Sequence, residues 1–114
     1  MSYNKDEKFE DYRGRIVELV ESSWEHIRES HPEIRLSDIA SVLKDPLEVR
    51  ESPKQSFVEL YYQAKAHRDR KPRFTAVVVK VLESELYVST AMTVSAMKSG
   101  KTIYRRQEDK GEGR

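Results

Sequence analysis

The apolar residues of this chain change period once, and that change limits what the chain can fold into. From Arg15 onward they recur three and four apart, at Ile16, Leu19, Val20, Trp24 and Ile27, with Ser23 and His31 on the same line. Such spacing lines one face of a helix. After Asp45 the period drops to two, and Leu47-Glu48-Val49-Arg50-Glu51 alternates as a half-buried strand does. No later gap between strand-like runs offers the dozen or so residues of a parallel crossover, so the expected sheet is antiparallel.

The predicted fold is therefore α+β. A long N-terminal helix runs to His31, because Pro32 disfavours helical geometry in the residue before it. A short second helix, capped by Ser37, stops at Asp45-Pro46. Both are expected on one face of a four- to five-stranded antiparallel sheet with strands near 47–51, 57–64, 74–82, 85–92 and 101–106. Val58, Leu60, Tyr62 and Ala64 share the face expected to meet the core, and the run 74–82 is apolar on both faces, as a central strand is. Residues 93–98 read as a helical turn or an irregular excursion ended by Gly100. Residues 1–13 read as a flexible lead-in, 14–106 as one domain and 107–114 as a charged, disordered tail.

With 114 residues there is material for one core. No run approaches the roughly 18 apolar residues of a membrane span, and residues 1–6 lack the apolar centre of a signal peptide, which points to a cytoplasmic protein without a membrane partner. Cysteine is absent, and so are a glycine-rich phosphate loop and a His-Glu-x-x-His pair. No metal, nucleotide or other cofactor is expected. Net charge is +1, so a nucleic acid would have to be met by a local basic patch.

What remains is histidine, lysine, arginine, tyrosine and hydroxyl groups, the set that metal-independent RNA cleavage uses. Such cleavage needs a base for the ribose 2′-hydroxyl, an acid for the leaving 5′-oxygen and cations on the phosphate. His31 closes the long helix and can act as the acid; a plain capping role explains it as well. His26, five positions earlier, lies about 140° around the helix and is expected in solvent. The segment 65–73 sets Lys65, Arg68, Arg70, Lys71 and Arg73 against the single anion Asp69. That suits phosphate, and it suits a solvated hairpin tip equally. Lys80 interrupts an apolar strand and must reach water, a partner or a cleft. Thr90, read on the side of Leu86 and Val88, presents a hydroxyl from an apolar face, though threonine is also an ordinary strand former.

Taken together, Trp24-Glu25-His26-Ile27, His31-Pro32-Glu33, Pro46-Leu47-Glu48-Val49-Arg50-Glu51-Ser52, Tyr61-Tyr62, Val77-Val78-Val79-Lys80, Thr90-Ala91 and Lys98-Ser99-Gly100 form an ordered series. It resembles the phage-associated, stand-alone domains of the barnase/EndoU/colicin/RelE-like ribonuclease superfamily. The resemblance implies a metal-independent endoribonuclease-like domain of toxin type, acting on RNA and neutralised by an antitoxin protein. It implies His26 or His31 as acid or base, Tyr62 and Thr90 as donors, Arg50 and Lys80 on phosphate charge, and Lys65, Arg68, Arg70, Lys71, Arg73 and Lys98 as RNA contacts. Where that family reads Thr-Ala-Tyr, this chain has Met92 in place of the tyrosine. The alternative is thus a catalytically degenerate relative that binds RNA or protein. A monomer or weak dimer is expected, since the last strand carries cations that protect an edge.

Overall fold

A computed structural model describes residues 6–55, 57–65 and 71–107. Among them run seven strands and two helices: β1 (Glu7–Glu10), β2 (Ile16–Leu19), α1 (Glu21–Ser30), α2 (Leu36–Lys44), β3 (Glu48–Glu51), β4 (Val58–Ala64), β5 (Phe74–Leu82), β6 (Glu85–Val94) and β7 (Lys101–Arg105). The strands form one sheet in the order β1-β2-β6-β5-β4-β3-β7. Every pairing is antiparallel except β2 with β6, which is parallel.

This corrects the expected four- to five-stranded antiparallel sheet under a long N-terminal helix. The sheet has seven strands and is mixed, and α1 has only 10 residues, close to the 9 of α2. The difference begins at Ile16–Leu19, where i, i+3, i+4 spacing and simple alternation both fit. Val17 and Leu19 are fully buried while Ile16 is 53% exposed, which is the strand solution. Two features favour it. Ile16 and Val17 are β-branched, and the preceding turn hands the segment a partner. Asp11 Oδ1 accepts the amides of Arg13 (2.9 Å) and Arg15 (2.8 Å), and Gly14 takes φ +81°, a conformation open to glycine. Residues 7–10, expected in the lead-in, thereby become β1, paired from Glu7–Leu19 to Glu10–Ile16. The second helix also starts earlier than its expected cap. Its N-cap is Arg35, whose amide donates to the Asp38 carboxylate at 2.8 Å.

Both helices pack on one face. Ile27 of α1 and Ile39, Val42 and Leu43 of α2 join Val17, Leu19, Val49, Tyr61, Val77, Val79, Val88 and Ala91 in the main core. The other face holds a second, smaller cluster of Val58, Leu60, Tyr62 and Ala76, with Phe74, Val78, Met92, Val94 and Met97 packed against it. The face of Val58, Leu60 and Tyr62 expected against the core thus meets only this smaller cluster. Among the described residues no helix lies on it. The connection between β6 and β7 crosses it instead and contributes Met97.

A buried polar network fastens the β1–β2 turn over the helix-bearing face. Asp11 is fully buried, and its Oδ2 accepts the Tyr61 hydroxyl (2.8 Å) and Arg15 Nε (3.0 Å). Arg15 Nη2 donates to Glu59 (2.9 Å) and to the Tyr61 oxygen (2.9 Å). Burial, and then the bond to Asp11, push the Tyr61 phenol far above its ordinary range, so it stays a neutral donor. Tyr12 rides on the same turn and stacks against Tyr104 of β7 at 4.4 Å between ring centroids.

Tyr61→Phe keeps the ring and removes the hydroxyl, leaving Asp11 and Arg15 each short of a buried partner. The expected cost is about 1–3 kcal/mol. Urea unfolding followed by circular dichroism reads it directly, and a loss below about 0.5 kcal/mol, the size of an ordinary surface change, contradicts the role given to the network.

Candidate functional site

The sheet divides the predicted site residues between its two faces. Arg50 and Tyr62 lie on the face without helices, together with Lys98 of the β6–β7 connection. The Tyr62 oxygen accepts the Lys98 amide at 3.1 Å, and Arg50 Nη1 donates to the Lys98 carbonyl at 2.7 Å. Arg50 Nε also donates to Glu48 at 2.6 Å, and Thr102 and Arg105 converge on the same carboxylate. These groups hold one another. They strap residues 95–100 across the sheet, and Gly100 makes that path possible: a Cβ there would sit 2.3 Å from the Glu51 carbonyl oxygen.

Two more of the expected catalytic set share that face, since Lys80 lies opposite Val58 and Thr90 opposite Val78, whereas His26 and His31 do not. His26 is exposed on α1, and Lys80 is exposed near the end of β5. Thr90 is half-buried opposite Val78. A register shift between Val78 and Val79 places Val79 opposite Val88 and leaves Ser89 as the extra residue of a bulge. The bulge reverses the side-chain phase, so Thr90 shares a face with Met92 and not, as expected, with Val88. Met92, at the position of the resembled family's tyrosine, packs into the smaller apolar cluster. Arg68 and Arg70 lie outside the described residues, as do residues 108–114 of the expected tail.

His31 belongs to a different gathering, on the side of the helices at the end of the sheet. It caps α1, donating its amide to the Ile27 carbonyl at 2.6 Å and accepting the Ile34 amide at 3.0 Å, which folds Pro32 and Glu33 into a tight turn. That turn aims Glu33 at Thr93 of β6. Burial alone would raise the Glu33 carboxyl, but hydrogen bonds from its own amide and from the hydroxyl and amide of Thr93, with His31 close by, outweigh burial and hold it below its usual range. Lys65 Nζ donates to Thr93 Oγ1 at 3.1 Å. The Lys65 amide donates to the Arg73 carbonyl at 2.9 Å, closing the base of the β4–β5 connection, with Lys71 exposed on it. An imidazole, a carboxylate, a hydroxyl and an ammonium thus come together where the basic loop leaves the sheet.

Of the residues expected to act, only His31 and Lys65 enter this cluster, and Glu33 and Thr93 were missed. Glu33 carried a signal, since a carboxylate two residues past a helix-closing histidine folds back beside it. Thr93 did not, because residues 93–98 read as an excursion and β6 in fact runs on to Val94.

Among the described residues no helix is long and apolar enough to cross a membrane. No family model matches the chain, and neither the curated proteins nor the solved structures contain a match to it.

Two measurements test the strap. Gly100→Ala forces the Glu51 carbonyl aside and is expected to destabilise by about 1–3 kcal/mol; chemical denaturation at neutral pH checks it, and an unchanged midpoint contradicts the close approach. Glu48 gives a pH signature. Burial raises its carboxyl, but the bonds from Arg50, Arg105 and Thr102 more than offset this and hold it below the ordinary glutamate value of 4.5. A depressed folded-state value contributes stability that is present above pH 4.5 and disappears as pH falls through the folded value. Glu48→Gln should therefore cost stability at pH 7 by an amount that shrinks steadily below pH 4.5 in paired denaturation curves; a pH-independent difference contradicts the linkage.

Proposed function

We propose that this chain is a metal-independent endoribonuclease-like domain whose phosphodiester site is the cluster of His31, Glu33, Lys65 and Thr93. One observation carries the reading: at the foot of a basic loop Thr93 bonds both Lys65 and Glu33, and the His31 imidazole lies near that carboxylate. His31 takes the proton of the ribose 2′-hydroxyl as that oxygen bonds to phosphorus, and returns it to the 5′-oxygen as the phosphorus–oxygen bond breaks. The products are a 2′,3′-cyclic phosphate and a free 5′-hydroxyl, so the imidazole ends as it began. Glu33, held ionised, stabilises the imidazolium between the two transfers. Lys65 meets the charge that develops on the phosphate, and Thr93 fixes Lys65 and Glu33 relative to each other. Arg50 and Tyr62 act as positioning residues for the strap on the opposite face.

A second reading is favoured by Met92, which fills an apolar cluster where the resembled family carries a phenol: an RNA-binding domain without cleavage. In both readings RNA is the partner, and an antitoxin protein is a partner only through the family resemblance.

Incubation with total RNA in excess EDTA separates the two. The wild-type chain is expected to cleave and leave cyclic phosphate ends. His31→Ala should lose at least about a hundredfold in rate, the usual share of a general acid–base group. Arg50→Ala should lose activity only in proportion to lost folding. Intact RNA at high protein concentration, or cleavage that survives His31→Ala, overturns the catalytic assignment.

A further inference from the structure

Beside the cluster, α1 and the start of α2 flank an open groove of about 430 Å³ lined by Trp24, Arg28, Pro32, Ile34, Arg35 and Leu36. That volume falls in the roughly 300–1,000 Å³ range of small-ligand sites. Its floor is apolar: Ile34 is buried, and Trp24 and Leu36 pack against the main core. Its rim is cationic. The Arg28 guanidinium lies 5.8 Å from the centre of the Trp24 ring, and neither Arg28 nor Arg35 forms an ion pair among the described residues. Arg15, Arg50, Arg105 and Arg106, by contrast, each meet a carboxylate. Two unpaired planar cations flanking an aromatic floor match a ligand with a flat ring and an attached anion, which is the make-up of a nucleotide. The groove is also continuous with the proposed site, because Pro32 on its wall is bonded to His31 on one side and Glu33 on the other.

We propose that this groove is a nucleotide subsite that holds the RNA residue next to the one at His31, its base against Trp24 and the Arg28 plane and its phosphate between Arg28 and Arg35. The assignment rests on the RNA reading of the neighbouring cluster. It does not depend on cleavage. Pro32, fixed by the His31–Ile34 turn, sets the distance between subsite and cluster, and the strand passes from groove to basic loop across the end of α1.

Trp24 is the only tryptophan in the chain, so the protein carries its own reporter. A fully 2′-O-methylated RNA tetranucleotide, which cannot undergo the transfer, is titrated against wild-type protein at low salt with Trp24 fluorescence as the readout. Saturable quenching is expected. Arg28→Ala and Arg35→Ala, both at exposed positions that leave folding intact, should each weaken binding about tenfold. Each should also flatten the slope of log K against log salt by about 0.7, the value for one phosphate contact on a single strand. Absence of quenching overturns the subsite, as does equal affinity of the two arginine variants and wild type. So does equal quenching by a glutamate tetrapeptide, which would mark a general anion surface. Quenching without any RNA cleavage supports the subsite and overturns the catalytic reading alone; cleavage without quenching does the reverse.

Discussion

The Asp11 carboxylate organises more of this molecule than any apolar contact does. It is fully buried and accepts four hydrogen bonds, two from amides of its own turn, one from Arg15 and one from Tyr61 in the middle of the sheet. An isolated buried carboxylate is costly, and breaking such a set by removing one member leaves the others unmet. The turn therefore has one seat. Because β2 leaves that turn, its place beside β6 is fixed, and because α1 starts two residues after β2 ends, the axis of α1 is fixed as well. The position of His31 at the far end of α1 is a consequence of a contact at the other end of the β2–α1 segment.

A seven-stranded sheet with helices on one face leaves the other to be covered by something thinner. The β6–β7 connection does this with few residues, which explains its dense ties: Tyr62 and Arg50 each hold Lys98, and Gly100 slips under the Glu51 carbonyl. Arg50 and Tyr62 looked in sequence like groups waiting for a phosphate. In the fold they are occupied in closing the protein against itself. Side chains on opposite faces of a sheet diverge from the backbone plane, so no single phosphate can touch both Tyr62 and the His31 cluster.

How much of this was legible in the sequence depends on how local the deciding contact is. The period-2 runs of β3, β4 and β5 and the short apolar face of α2 were readable, because each is decided by its own residues. Ile16–Leu19 was not, since two periods fit four residues and the choice between them falls to the turn at Asp11 and the pairing with β1 that it creates. Thr90 was assigned to the wrong face for a related reason: one extra residue at Ser89 shifts the phase of β6, and a bulge leaves no mark when its residue is a serine. Lys65 was legible as a cation of the loop but not as a partner of Thr93, because that contact spans 28 positions.

The near-neutral net charge hides how the charges are arranged. The carboxylates nearest the sheet are matched in place: Asp11 and Glu59 with Arg15, Glu48 with Arg50 and Arg105, Asp45 with Arg106. Such pairs cancel at short range and contribute little to the field a few ångströms away. What survives at a distance comes from cations whose bonds go to neutral groups, as Lys65 bonds Thr93 and Arg28 faces an indole. Both lie around the end of α1. A chain of charge +1 in this way sets Arg28 and Lys65 near one end of its sheet among the carboxylates Glu29 and Glu33, so the field there is decided by local contacts and not by the net charge.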